Sequence, residues 1–459
     1  MSRIVVGLRL LADGAGIVLA VFAWIIVAPA AWMRAHALRT QVPPGPGCRV
    51  LLLQPNVARA VMQHGPQLIA ANLRCDAAVY SVVLDPRGEL EHASQLDDQF
   101  LFVSWKAPAW ADTLHRAGLY NTAYFLGEIP ILFRLLSFSA KAKFTVVKSS
   151  MHNEAALRGL AVCVLLRLPH IMSIAGNYEL IERVTGYICY FGSYYRFRMV
   201  RPIVRGISRW LVGLPIRHAF RVLGRNKNNY EHAFALGARI ERLSLLRIRV
   251  SPQFLDFRRE SMPKSPLVAP YMLFVARFSA EKRPEDAILA FEGVAERFPD
   301  VQLVMIGDGP LRPSIQQRAS VSAFAERIHF TGALSNQEVL RWTAHAALGI
   351  ELYSGSALVE KMLCGVPVVA YDIEWMSEVV IDDYTGFAVD YLDVTALGER
   401  CARLLADPRL ARELGERARG LARAMFDLAR IRAREDHYLL EADAWYRSAW
   451  QRPSAQNSK

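Results

Sequence analysis

The stretch Leu348–Asp372, LGIELYSGSALVEKMLCGVPVVAYD, decides how the rest of the chain is read. An apolar run, Ala346 to Leu352, ends in a turn of Ser354, Gly355 and Ser356. A short helical segment runs from there to Gly365, and a second apolar run, Val366 to Ala370, follows. Strand, tight turn of small residues, helix and strand make a βαβ unit. Such a turn leaves backbone N–H groups open at a helix N-terminus, where a phosphate can take them up. Glu360 falls about one turn into that helix, within reach of the hydroxyl groups of whatever carries the phosphate.

The same alternation runs backwards from this stretch. Tyr271 to Arg277 (YMLFVAR) and Val301 to Gly307 (VQLVMIG) are strand candidates, with a helical segment, Pro284 to Phe298, between them. Arg327 to Gly332 is a short strand, and Ser335 to Glu338 reads as a capping box that opens the next helix. Strands alternating with helices imply a parallel sheet with both faces covered. Ligands of such sheets bind beyond the carboxyl ends of the strands. Four places there carry suitable chemistry. Arg277 and Lys282 lie on the loop after one strand, where two cations can neutralise a diphosphate. Gly307 and Gly309, in the GDGP turn, permit close backbone approach. Thr331-Gly332 forms a third turn, and Ser354 to Glu360 is the fourth. Each has an ordinary explanation when taken singly: solvated loop charges, a plain left-handed turn, a carboxylate favoured by the helix dipole. Their succession in one domain argues for a shared site.

The chain has 459 residues and a net charge of +12, enough length for two or three domains and an excess that favours an anionic surface or substrate. No helix-turn-helix, RNA-recognition or zinc-finger pattern points to nucleic acid. The six cysteines are scattered without a C-x-x-C pair, which fits a reducing compartment and argues against a disulfide framework or structural zinc. Gly14 to Met33 carries no charge, and reads as an N-terminal membrane anchor; a cleaved signal peptide or a helix lying in the membrane surface are the alternatives. Arginines on both sides leave its orientation open. Gln41 to Gly47 is a stiff linker. Strand candidates follow at Cys48 to Asn56, Ala78 to Leu84, Phe100 to Trp105, Phe144 to Ser149 and His170 to Gly176, with helices at Glu128 to Lys141 and Asn153 to Leu168. Tyr187 to Lys227 holds eight arginines among aromatics, with no acid between Glu182 and Glu231. That is either a face for an anionic leaflet or a solvated arginine surface. Four prolines between Ser251 and Pro270 mark the domain junction. These signals divide the chain into an anchor (1–40), a first Rossmann-like domain (41–255), a second (256–425) and a C-terminal helix with a disordered tail (426–459).

Taken together, FVARFSAEKRPEDAILAF, LVMIGDGP, IHFTGALSNQEV and SALVEKMLCGVPVVAYD with EVVIDDYTGFAVD resemble the donor domain of retaining glycosyltransferases of family 4. The resemblance covers residues 270–425 closely and extends more loosely into the first half through RVLGRNKNNYEHAFALGA. It implies the GT-B fold, two Rossmann-like domains with a cleft between them, here preceded by a transmembrane helix. It implies transfer of a sugar from a nucleotide diphosphate sugar to an acceptor hydroxyl, with retained configuration, no cofactor and no catalytic metal. Arg277 and Lys282 match the basic pair on the donor diphosphate, and Glu360 the glutamate that binds the ribose. The backbone around Gly355, Ser356 and Leu358 would approach the phosphates. Met305 to Gly307, Gly309 and Gly332 would line the nucleobase side. His152 and Asn177, on turns after strands of the first half, are candidates to face the cleft.

Two departures stand out. The first glutamate of the family's pair falls on Leu352, and the nearest acid, Glu351, is one residue early. One residue along a strand points a side chain to the opposite face, so either a bulge restores Glu351 or the sugar is held differently. The usual double glycine before Glu-Val-Val is replaced by Ile373-Glu374-Trp375-Met376-Ser377, which makes Asp372 or Glu374 a possible source of the missing acid. The resulting expectation is a membrane-anchored, cytoplasm-facing glycosyltransferase with a lipid-linked or membrane-proximal glycan acceptor. A nucleotide-sugar epimerase on the same fold and a non-catalytic scaffold are the rivals. No G-x-G-x-x-G follows a first strand, which argues against a dehydrogenase.

Overall fold

A computed structural model describes residues 23, 27–38, 44–53, 73, 75–78, 80–85, 95–97, 100–104, 108–117, 119–150, 154–186, 201–258, 263–353 and 355–451. They form two parallel sheets, each flanked by helices. The first sheet has the order β3-β4-β2-β1-β5-β6-β7-β8. Its strands are β1 (Arg49–Leu53), β2 (Tyr80–Asp85), β3 (Gln95–Asp97), β4 (Phe100–Ser104), β5 (Val146–Ser150), β6 (His170–Ile174), β7 (Arg221–Gly224) and β8 (Leu243–Leu245). Only the edge pair β3–β4 is antiparallel. The second sheet runs β11-β10-β9-β12-β13-β14. Its strands are β9 (Tyr271–Val275), β10 (Gln302–Ile306), β11 (Ile328–Gly332), β12 (Leu348–Glu351), β13 (Val368–Tyr371) and β14 (Gly386–Val389).

The second sheet therefore starts at β9, builds outward through β10 and β11, then returns to the other side of β9 with β12. This is the doubly wound order, and its direction reverses between β9 and β12. The core explains why: β9 and β12 are buried on both faces, and Met272, Phe274, Leu348 and Ile350 sit at the centre of one continuous apolar cluster. Such near-continuous apolar strands suit only a covered parallel sheet.

The first domain contains a helix that sequence reasoning shortens. Tyr120–Ala142 is one helix with Pro130 inside it, and it ends on Lys143 in the left-handed conformation. Proline in a helix interior reads as a start signal, so the pattern before Glu128 was missed. His152, with residues 151 and 153, lies outside the described residues.

The N-terminal membrane anchor is corrected by the structure. No helix among the described residues is long and apolar enough to cross a membrane. Most of Gly14 to Met33 lies outside the described residues. The described part, residues 27–38, is a short helix laid on the first domain, with Ala31 and Ala35 fully buried in the cluster that also holds Leu132, Leu135 and Leu136. Arg34 hydrogen-bonds Ser137 Oγ at 2.7 Å. The face bearing Ala31 and Ala35 is thus covered by protein, while Trp32 and Met33 stay exposed.

The C-terminal helix Leu428–Gln451 leaves the second domain and packs against β5 and β6 of the first. One buried charge cluster fixes it there. Glu435 is ion-paired with both Lys148 of β5 and Arg249 of the linker. Burial alone would raise the Glu435 carboxyl; the two cations outweigh it and hold the group at about 2. Arg221 Nη2 adds bonds to both carboxylate oxygens of Glu441 at 2.8 Å. A carboxyl depressed from 4.5 to about 2 stabilises the fold above pH 4.5, and that contribution is lost as pH falls towards 2. Replacing Glu435 by Ala leaves two buried cations without their partner, and is expected to cost about 3–5 kcal/mol in chemical denaturation at pH 7. The difference between wild type and variant should shrink as pH is lowered from 5 towards 2.

Candidate active site

The loops that leave β9 and β12 face each other where the strand order reverses. The β9 loop is anchored by Phe278, which is fully buried against Phe274 and Phe330. Its N–H donates to Asp308 O at 2.9 Å, and its own carbonyl accepts from Leu311 N at 3.0 Å. That tie explains the glycines of the GDGP turn. Gly307 has φ +143°, and a Cβ there would stand 1.9 Å from Ala276 O; at Gly309, φ +159°, it would stand 2.5 Å from Phe278 O. Their role is to let two loops touch. Gly332, φ +76°, accepts a backbone bond from Gly307 N at 2.9 Å and so continues the same seam.

Beyond Phe278 the chain makes one 3-10 turn, Ala280–Lys282, and enters the next helix through Arg283, in the left-handed conformation at φ 50°. Arg283 pairs with Asp286 through two bonds of 2.9 Å, and Asp286 also accepts from Tyr371 OH at 2.9 Å. This bracing aims Lys282 at the other loop. Its Nζ donates to Tyr353 O at 3.2 Å and lies 5.4 Å from the centre of the Tyr353 ring. It stands only 3.3 Å from where a Cβ on Gly355 would be. Burial lowers the Lys282 pKa, while the charges of Glu351, Glu281 and Glu374 act to raise it.

Gly355 precedes the helix Ser356–Leu363, and no side chain caps its N-terminus. The first amides are thus presented beside an ammonium group, and the dipole adds to its field. Leu358 is fully buried, so only its backbone serves this end. Glu360 is half-buried on the same helix. Burial raises its carboxyl, and a hydrogen bond with Ser356 works against that rise. Lys282, Gly355, Ser356 and Glu360 are therefore brought together. Arg277 starts the same loop and is exposed. Met305 is fully buried in the core.

Glu351 is 2% exposed, and its Oε2 pairs with Lys361 Nζ at 2.6 Å. β12 pairs with β13 in unbroken register through Glu351, so no bulge moves it to the other face. Leu352 is fully buried in the core. Lys361 reaches Glu351 by lying over Gly349, where a Cβ would meet its Cδ at 2.4 Å. This partner is not apparent from the sequence because it comes from the buried face of the next helix. Asn177 caps the helix Tyr178–Thr185, accepting from Glu179 N and Leu180 N at 3.1 Å each, and donates to Asn228 Oδ1. That helix packs on the 3-10 turn bearing Lys282, and so brings the first domain to the site. Glu378 closes the other side: it accepts from Lys227 N at 2.6 Å and pairs with Arg247 at 2.5 Å. Among the described residues no cluster of His, Cys, Asp or Glu has the geometry of a metal site.

Two parallel-sheet domains meeting over a phosphate-type helix N-terminus define the class: a GT-B fold. Sucrose-phosphate synthase from Thermosynechococcus elongatus has the same fold, at a TM-score of 0.64 and 15% identity, over 86% of this chain and 100% of that one. Residues 258–421 match the family model for glycosyl transferases group 1. The chain is 29% identical over 239 residues to the alpha-D-kanosaminyltransferase of Streptomyces kanamyceticus, across 49% of this chain and 61% of that protein. It is 32% identical over 160 residues to the GDP-mannose-dependent alpha-(1-6)-phosphatidylinositol monomannoside mannosyltransferase of Mycolicibacterium smegmatis, across 32% of this chain and 41% of the relative. The matches thus span between about two fifths and three fifths of these relatives.

The GDGP seam gives a direct check. Gly307→Ala is expected to destabilise the protein by at least about 1 kcal/mol, because the methyl group meets a backbone carbonyl that cannot yield and the conformation itself disfavours an L side chain. Gly420→Ala, on an open helix face with nothing within 4 Å, is the control and should not destabilise.

Proposed function

We propose that this protein transfers a sugar from a nucleotide diphosphate sugar to an acceptor hydroxyl, with retention of configuration. One observation carries the reading: Lys282 stands against Gly355 at the uncapped N-terminus of the helix that bears Glu360. As the bond between the anomeric carbon and the phosphate oxygen breaks, negative charge develops on the leaving diphosphate. Lys282, the helix amides and, from the rim, Arg277 are placed to stabilise it. Glu360 is placed to accept from the ribose hydroxyls. The GDP-mannose-dependent relative supports the donor class. No cofactor is required in this scheme, and the charge it handles is met by the chain's own groups.

The acceptor is proposed to be a lipid-linked or membrane-proximal glycan. The phosphatidylinositol mannoside relative supports this, as does the helix Arg201–His218, where Ile207 and Trp210 are exposed. Exposed aromatic and aliphatic groups on a basic helix suit the edge of a membrane. Five described cysteines, all buried and none in a disulfide, suit a reducing compartment, which supports a cytoplasmic location for the catalytic domains.

Thermal unfolding with UDP, GDP and their sugar conjugates tests the donor. At least one diphosphate should raise the melting temperature, Lys282→Ala should abolish the rise, and the same variant should lose about 100-fold or more in sugar transfer. An unchanged melting curve with every nucleotide would contradict the reading. Trp210→Ala should weaken co-sedimentation with phosphatidylglycerol vesicles while leaving nucleotide binding intact.

A further inference from the structure

Glu374 carries two costs that the fold does not need. It is a non-glycine residue held at φ 58°, in the left-handed region. Such a conformation is disfavoured for an L side chain and persists where the surroundings impose it. Its Oε2 is also buried without any hydrogen-bond partner. A buried carboxylate oxygen left unpaired is destabilising, and in native proteins such atoms mark a missing water, ion or ligand. Glu378, four residues on, shows the contrast, since both of its oxygens are taken up by the first domain.

The surroundings of Glu374 say what it waits for. Lys282 is near enough to pull its carboxyl down, and Glu374 in turn acts on Lys282, so the two share one site. Burial is the larger effect and pushes the carboxyl up to about 7; the charge of Glu378 adds to it, and Asn229 acts with Lys282 in the other direction. Asn229 approaches from the first domain. It is fully buried, and neither its Oδ1 nor its Nδ2 has a partner. Two buried polar side chains thus adjoin across the domain boundary, next to the Lys282 ammonium, with Glu374 Oε2 left without a partner. Neither suits a phosphate. A carboxylate repels one, and Asn229 brings no charge. A carboxylate beside an amide suits hydroxyl groups, which donate to the first and both donate to and accept from the second.

We propose that Glu374, with Asn229 opposite it, holds the hydroxyl groups of the sugar on the donor. The proposal rests on the transferase reading above. It also assigns an acid to the chain, since Leu352 is in the core and Glu351 belongs to Lys361. The exchange of a permissive residue for a glutamate at a left-handed position is then a feature of this site: the strained backbone turns the carboxylate into the cleft.

The test separates sugar from diphosphate. Calorimetric titration of wild type, Glu374→Gly and Glu374→Gln would use UDP, GDP, UDP-glucose, UDP-N-acetylglucosamine and GDP-mannose. Glu374→Gly keeps the backbone conformation without strain, so it should melt above wild type. Both variants should bind the free diphosphate within about twofold of wild type, and bind its sugar conjugate about 10- to 100-fold more weakly, as for a lost hydrogen bond to a charged group. Unchanged affinity for every sugar conjugate, or an equal loss for diphosphate and conjugate, would overturn the proposal. Failure of the wild type to bind any nucleotide would instead remove the transferase reading beneath it.

Discussion

The contact between Lys282 and the loop ahead of Ser356 organises this molecule. Two loops from opposite sides of a strand-order reversal must meet for an ammonium group to stand over open helix amides. Everything around them serves that approach. Phe278 plugs the first loop into the core, the glycines of the GDGP turn let a third loop close on it, and Arg283, Asp286 and Tyr371 fix the exit. None of these groups need touch a ligand. They determine where one cation stands, in a half-buried setting where its charge is felt more strongly than in water.

The same logic explains how two separate cores become one site. The domain boundary is held at two levels. Far from the cleft, Glu435 locks the C-terminal helix to the first domain between Lys148 and Arg249. Near the cleft, Glu378 and the helix capped by Asn177 bring first-domain groups against the second. Near the second attachment lies Glu374, whose Oε2 is buried without a partner. The satisfied contacts thus fix the frame around it.

Much of this was legible in the sequence. The alternation of strands and helices from Tyr271 to Tyr371 follows apolar runs of strand length punctuated by glycine and proline, and the observed strands fall within them except that the last runs one residue further, to Tyr371. Lys282, Gly355 and Glu360 could be picked out because loop cations, small turns and early helical acids each have a local signature. What could not be read depends on distance in space. Glu351 looks like a candidate until Lys361 is seen to fold back over Gly349. Pro130 hides the first part of a helix that tertiary packing carries straight through it. The apolar N-terminal run has the composition of a membrane span, yet its described end lies against protein. Glu374 is visible as a departure from a glycine pair, but its backbone conformation and its orphaned oxygen are not.

A crystal structure of the protein with UDP or GDP bound would test the central claim most directly. The account places the diphosphate between Lys282 Nζ and the amides of Ser356 to Leu358, with the ribose hydroxyls on Glu360. A nucleotide seated elsewhere, with Lys282 still hydrogen-bonded to Tyr353 and those amides untouched, would contradict it.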